Sequence, residues 1–232
     1  MDLLATDARH RRGMAADATS RFLTLLPFLV SCVLYFALWL QEPSWLSTCV
    51  KTLPVLSLSF FLWAQGLKEG AWTPLAYWVC QGLLCSSVGD ACLVWPQLFP
   101  LGMAAFALAH TCYLWALGLR PLLPLLALAL ALVWVGGYRL LSPCLKGPSV
   151  PAVGGYGALL VAVAWRALAH PAPHLALAAG SLFFIASDLV LALDHFCAPV
   201  PHVHLLVMAT YYTAQFLIAV GASLATPHHK ES

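Results

Sequence analysis

The stretch FFIASDLVLALDHF, residues 183–196, sets the terms for the rest of the chain. It is almost entirely hydrocarbon, yet Asp188 stands in its middle and Asp194 near its end. An ionisable side chain at the centre of a bilayer-spanning helix costs about 2.5–3.5 kcal/mol on insertion scales, so such groups face a bundle interior and mark function. The question is whether the surrounding sequence builds such a bundle.

Composition says that it does. Of 232 residues, 62% are hydrophobic and 9% charged, whereas a soluble domain carries about 25% charged residues. This supply cannot cover a water-soluble surface, so the chain reads as an integral membrane protein. The formal charge of +2 says little about partners, and with no basic block or aromatic-basic pattern to suggest one, no nucleic-acid partner is expected. The first twenty residues are polar and of mixed charge, and the apolar run behind them is long enough to span a bilayer. It is expected to be an uncleaved anchor.

Runs of about 20 apolar residues recur at roughly 22–40, 45–64, 72–94, 97–117, 121–138, 150–168, 174–195 and 202–224. The expected fold is therefore all-α, a polytopic bundle of about eight transmembrane helices. A polar segment, 1–21, precedes the eight-helix transmembrane domain, 22–224, and a tail, 225–232, follows. Lys and Arg set the orientation. With the N-terminus cytosolic, that side receives Arg9, Arg11, Arg12, Arg21, Lys68, Arg120, Arg166 and Lys230, and the other side only Arg139 and Lys146. An even number of spans puts both termini in the cytosol. The short spans suit a thin bilayer such as that of the endoplasmic reticulum. Cys144 and Cys197 fall in loops on one side, where a disulfide between them is one open possibility.

A weak repeat relates the two halves. SSVGDACLVW (86–95) and IASDLVLAL (185–193) each place a small residue before Asp and a Leu three positions after it, and each precedes a helix with polar groups at mid-depth. Four spans separate the copies, which suits a four-plus-four parallel duplication.

Counting at about 1.5 Å per residue gives the depths of the polar groups. Lys51 and Asp188 lie about two turns from the non-cytosolic ends of their spans, and Asp90 about one. Tyr156 is at similar depth, Tyr211, Tyr212 and Gln215 are nearer the middle, and His110 and Tyr113 are deeper. Helical spacing puts Ser86 and Ser87 on the face of Asp90, and Ser181 and His195 on that of Asp188. The economical arrangement is one polar pocket open toward the non-cytosolic half, with Lys51, Asp90 and Asp188 at its heart. The plainer reading is an interhelical staple of the two carboxylates with Lys51. Asp194 lies off the Asp188 face and reads as a solvated helix end. DHFCAPVPHVH (194–204) holds several metal-ligand types, but its spacing fits no standard zinc pattern, and no metal site is assigned.

KTLPVLSL (51–58), SSVGDACL (86–93), FALAHTCYLW (106–115), IASDLVLAL (185–193) and TYYTAQFLIAVG (210–221) together resemble, in order and spacing, the YhhN-type lysoplasmalogenases. The likeness runs from span two through span eight. It departs at Pro54, since the proline expected directly after the lysine is displaced. The resemblance implies an eight-span hydrolase that cleaves the vinyl ether bond of lysoplasmalogens. The products would be a fatty aldehyde and glycerophosphoethanolamine or glycerophosphocholine.

That chemistry needs a carboxylic acid to protonate the β carbon and an anion to stabilise the resulting oxocarbenium. Two carboxylates in one low-dielectric pocket divide those tasks. Asp90 and Asp188 are the expected catalytic pair. Lys51, His110, Tyr156, Tyr211, Tyr212 and Gln215 are the expected substrate-binding or supporting residues, with no cofactor. The competing readings are a proton-coupled lipid or small-molecule transporter, which also uses intramembrane carboxylates, and a non-catalytic lipid sensor.

Overall fold

The structure, a computed structural model, describes residues 2–70, 72–170 and 175–224, with side chains from residue 17 onward except at position 69. The 225–232 tail, with Lys230, lies outside the described residues. Eight α-helices follow in order: α1 (Asp2–Leu38), α2 (Trp45–Glu69), α3 (Pro74–Leu93), α4 (Phe99–Leu117), α5 (Pro124–Leu141), α6 (Ser149–Ala169), α7 (Leu175–Ala192) and α8 (Val203–Leu224). A π-turn, Leu193–Cys197, extends α7.

Local chemistry sets these limits. Ser44 caps α2 by accepting from the Ser47 N–H at 3.1 Å, and Gly70 ends it in the left-handed conformation at φ 67°. That conformation costs glycine nothing. Thr73 caps α3 in the same way, with Pro74 opening the helix. α1 begins at Asp2, so the polar 1–21 segment is helical from there and runs unbroken into the first span. Its Leu, Ala and Arg content favours helix.

Among the described residues, seven helical segments are long and apolar enough to cross a membrane, and α3 is not among them. The reason is position. α3 packs against α2, α4 and α8, with Ser86, Ser87 and Asp90 buried. Polar residues turned inward lower its hydropathy, while Leu84 and Val88 stay exposed on its outer face. α5 is the opposite case: it packs on α6, and Leu141 alone of its residues is buried.

The two most extensive helix packings are α3 with α4 and α7 with α8. Small residues allow the close approach. A Cβ on Gly180 of α7 would lie 2.9 Å from the Ala214 carbonyl oxygen of α8, and one on Gly82 of α3 would lie 2.2 Å from the Tyr113 ring of α4. Three further packed pairs correspond at an offset of four helices, α1·α2 with α5·α6, α2·α3 with α6·α7, and α2·α8 with α4·α6, whereas α3·α8 has no comparable counterpart.

The two ends of the bundle differ in chemistry. At one, Asp17 pairs with Arg21 at 3.0 Å and with Lys68 at 2.5 Å, and Arg21 reaches the Ser223 carbonyl at 3.3 Å. At the same end, Arg166, 0% exposed, donates to the Gly118 and Pro121 carbonyls and holds the α4–α5 connection. At the other end a disulfide joins Cys144 to Cys197, with Cα atoms 5.0 Å apart.

Candidate active site

Asp90 and Asp188 line the same cavity. It has a volume of about 250 Å³, and Lys51 and Tyr211 also border it. Asp90 is 2% exposed and accepts from the Tyr211 hydroxyl at 2.8 Å. Asp188, half-buried, accepts from the Tyr156 hydroxyl. Each carboxylate is thus held by a tyrosine from another helix. A buried carboxylate needs such donors, since an unpaired one carries a large desolvation cost.

Asp188 also borders a second cavity, of about 280 Å³. Its walls come mainly from α4 to α7, with Leu93 of α3 and Phe196 of the π-turn, and are almost wholly apolar, among them Met103, Leu130, Trp134, Leu160 and Ile185. Leu93, Phe99, Phe106 and Leu191 line both cavities, so the two adjoin at Asp188. This apolar chamber had no sequence signal, because its lining has the composition of any lipid-facing helix.

Three residues support from behind. The Tyr212 hydroxyl donates to the Lys51 carbonyl at 2.8 Å and ties α8 to α2. Gln215 accepts from the Tyr113 hydroxyl at 2.8 Å. His110, 1% exposed, has Nδ1 2.8 Å from the Phe106 carbonyl, and its ring packs on Phe184. None of Tyr212, Gln215 and His110 is among the residues lining either cavity.

Several expectations change. Lys51, 6% exposed, pairs with Glu42 at 3.0 and 3.3 Å. Glu42 sits beside Pro43 in the short α1–α2 connection, where sequence gave no reason to single it out. Asp194 is no free helix end: it accepts from the Val200 N–H at 2.8 Å and borders the polar cavity. Ser181 and Ser87 bond to carbonyls of their own helices, not to the carboxylates. Ser86 turns to the Tyr113 hydroxyl at 3.4 Å. The π-turn breaks the register that put His195 on the Asp188 face, yet His195 still borders the cavity, stacked on Phe99. Cys197 is in the disulfide, and His204 lies 2.6 Å from the Tyr35 hydroxyl.

Fold and site together define a multi-span helical membrane protein with a carboxylate pair in its interior. The profile of the YhhN family matches residues 46–222, and the chain belongs to that family. It is 46% identical over 201 residues to lysoplasmalogenase TMEM86B of Homo sapiens, covering 85% of each chain. To lysoplasmalogenase TMEM86A of Homo sapiens it is 42% identical over 210 residues, covering 85% of this chain and 88% of that one. To lysoplasmalogenase TMEM86B of Rattus norvegicus it is 45% identical, covering 85% and 83%. No solved structure matches the chain.

Proposed function

We propose that the protein is a lysoplasmalogenase, an ether-bond hydrolase that converts lysoplasmalogens to a fatty aldehyde and a glycerophospho-headgroup. One observation carries the reading beyond the likeness to its relatives: two carboxylates share a polar cavity that adjoins an apolar one. A lysoplasmalogen has that division, with a single alkenyl chain, a polar headgroup and the vinyl ether between them.

The chain lies in the apolar cavity and the headgroup in the polar one, which puts the vinyl ether beside Asp188. The β carbon is the chain-side carbon of that double bond. Asp188, bordering both cavities, protonates it. The oxocarbenium that results is stabilised by ionised Asp90, which then takes a proton from the attacking water. The hemiacetal so formed collapses: Asp90 passes its new proton to the glycerol oxygen as the C–O bond breaks, and the hemiacetal hydroxyl gives its proton to Asp188, which restores both carboxyl groups to their starting states. Tyr156 and Tyr211 orient the two carboxylates, and positioned acid–base groups of this kind contribute about 10²–10⁴-fold. His110, Tyr212 and Gln215 hold the helices that carry them.

The corresponding helix packings support a four-plus-four repeat in which Asp90 and Asp188 are matched positions. The cluster of Arg21, Lys68 and Arg166 at one end supports a cytosolic placement of that end and of both termini. The disulfide at the other end supports a lumenal side in an oxidising compartment, the endoplasmic reticulum.

Purified protein in detergent, given lysoplasmenyl-ethanolamine, is expected to release aldehyde without any gradient, and to release none from the saturated-ether analogue. A transporter needs two compartments and a sensor turns nothing over, so the absence of aldehyde would contradict the reading.

A further inference from the structure

We infer that the Lys51–Glu42 ion pair is the recognition site for a zwitterionic headgroup, with Lys51 taking the phosphate and Glu42 the ammonium. The inference rests on the functional reading above and adds headgroup selectivity to it.

The pair stands on the wall of the polar cavity that holds both carboxylates. Lys51 bonds both Glu42 oxygens, at 3.0 and 3.3 Å, with side-chain exposures of 8% for the lysine and 24% for the glutamate. The polarity is ordered in depth. Lys51 lies in the second turn of α2, while Glu42 lies in the connection before that helix. A phosphoethanolamine entering chain-first presents its charges in the same order, phosphate inward and ammonium outward.

A buried ion pair loses most when one partner is left alone. Exchange of partners avoids that loss. As the phosphate reaches Lys51, the ammonium reaches Glu42, and two ion pairs replace one with no charge left uncompensated. A headgroup with phosphate alone competes with Glu42 for Lys51 and leaves the glutamate facing an anion. The site therefore discriminates by charge pattern as well as by total charge. A primary ammonium also donates hydrogen bonds to a carboxylate, which a trimethylammonium cannot, so ethanolamine is favoured over choline.

Binding of saturated-ether lysolipids isolates this step from turnover. The probes are 1-O-alkyl-glycerophosphoethanolamine and 1-O-alkyl-glycerophosphate of equal chain length, titrated against the purified protein by intrinsic tryptophan fluorescence. The wild type is expected to bind the ethanolamine lipid at least tenfold more tightly. Glu42→Gln abolishes that preference by weakening the ethanolamine lipid and not the phosphate lipid. Because Glu42→Gln leaves Lys51 unpaired and can unfold the site, Glu42→Gln/Lys51→Met is measured beside it. The double variant is expected to bind both lipids weakly and equally. Equal affinities in the wild type, or a retained preference in a folded variant, would overturn the assignment. Headgroup discrimination without aldehyde release would instead leave this inference standing and defeat the hydrolase reading.

Discussion

The Tyr156 hydroxyl of α6 donates to the Asp188 carboxylate of α7 where the polar and apolar cavities meet. Tyr211 of α8 does the same for Asp90 of α3 in the polar cavity. The two tyrosines occupy equivalent chemical positions, but of the two only Tyr156 borders the apolar cavity. Tyr156→Phe and Tyr211→Phe are each expected to lower kcat by about tenfold or more. A hydrogen bond to a charged group, which Asp90 is from the start and Asp188 becomes as it gives up its proton, contributes about 1.5–3 kcal/mol, and each 1.36 kcal/mol is tenfold in rate. Only Tyr156→Phe should also change KM with chain length. Steady-state kinetics on substrates of two chain lengths checks both statements.

The apolar cavity makes its own prediction. Ile185 precedes Asp188 by three residues on α7 and contributes to the cavity wall. Ile185→Trp shortens the chamber, so long-chain substrates should lose about tenfold in kcat/KM while short-chain ones keep theirs. The expected loss equals about 1.4 kcal/mol, within what one hydrophobic contact of this size contributes. A uniform loss across chain lengths would place the alkenyl chain elsewhere.

The disulfide is testable without any substrate. Six cysteines are free and Cys144 is joined to Cys197. Alkylation of denatured protein should therefore label six thiols before reduction and eight after. The bridge spans a sequence separation of 53, and closing a loop of that size contributes roughly 4 kcal/mol on the chain-entropy account. Cys144→Ser should lower the thermal midpoint clearly. It also frees the end of α5, a helix otherwise packed on α6.

Much of this was legible in the sequence, for a physical reason. Spanning helices must be long, apolar and bounded, so the eight helices were found within a few residues along most of their ends, and seven of them qualify as spans. Asp90, Asp188 and Lys51 stood out because charge inside an apolar run is costly. The same logic could not find Glu42, since an acidic residue beside a proline in a short connection is ordinary. Nor could it find the apolar cavity, because Leu130 or Ile185 reads identically whether it faces lipid or a chamber. The Asp194 cap and the displaced His195 share one cause: the π-turn Leu193–Cys197 breaks the periodicity on which their faces were counted. The low hydropathy of α3 belongs to the same lesson, as its polar residues turn inward while Leu84 and Val88 stay exposed on its outer face.

The most direct test of the account is aldehyde release by Asp90→Asn and Asp188→Asn, each purified in detergent and matched to wild type for folding by size-exclusion profile and thermal midpoint. The substitution keeps side-chain shape and removes both the transferable proton and the negative charge. Both variants are predicted to lose at least about a hundredfold in kcat, in line with the range for positioned acid–base groups, while still binding the saturated-ether lysolipid. Either folded variant retaining most of its wild-type rate would contradict the claim that these two carboxylates perform the hydrolysis together.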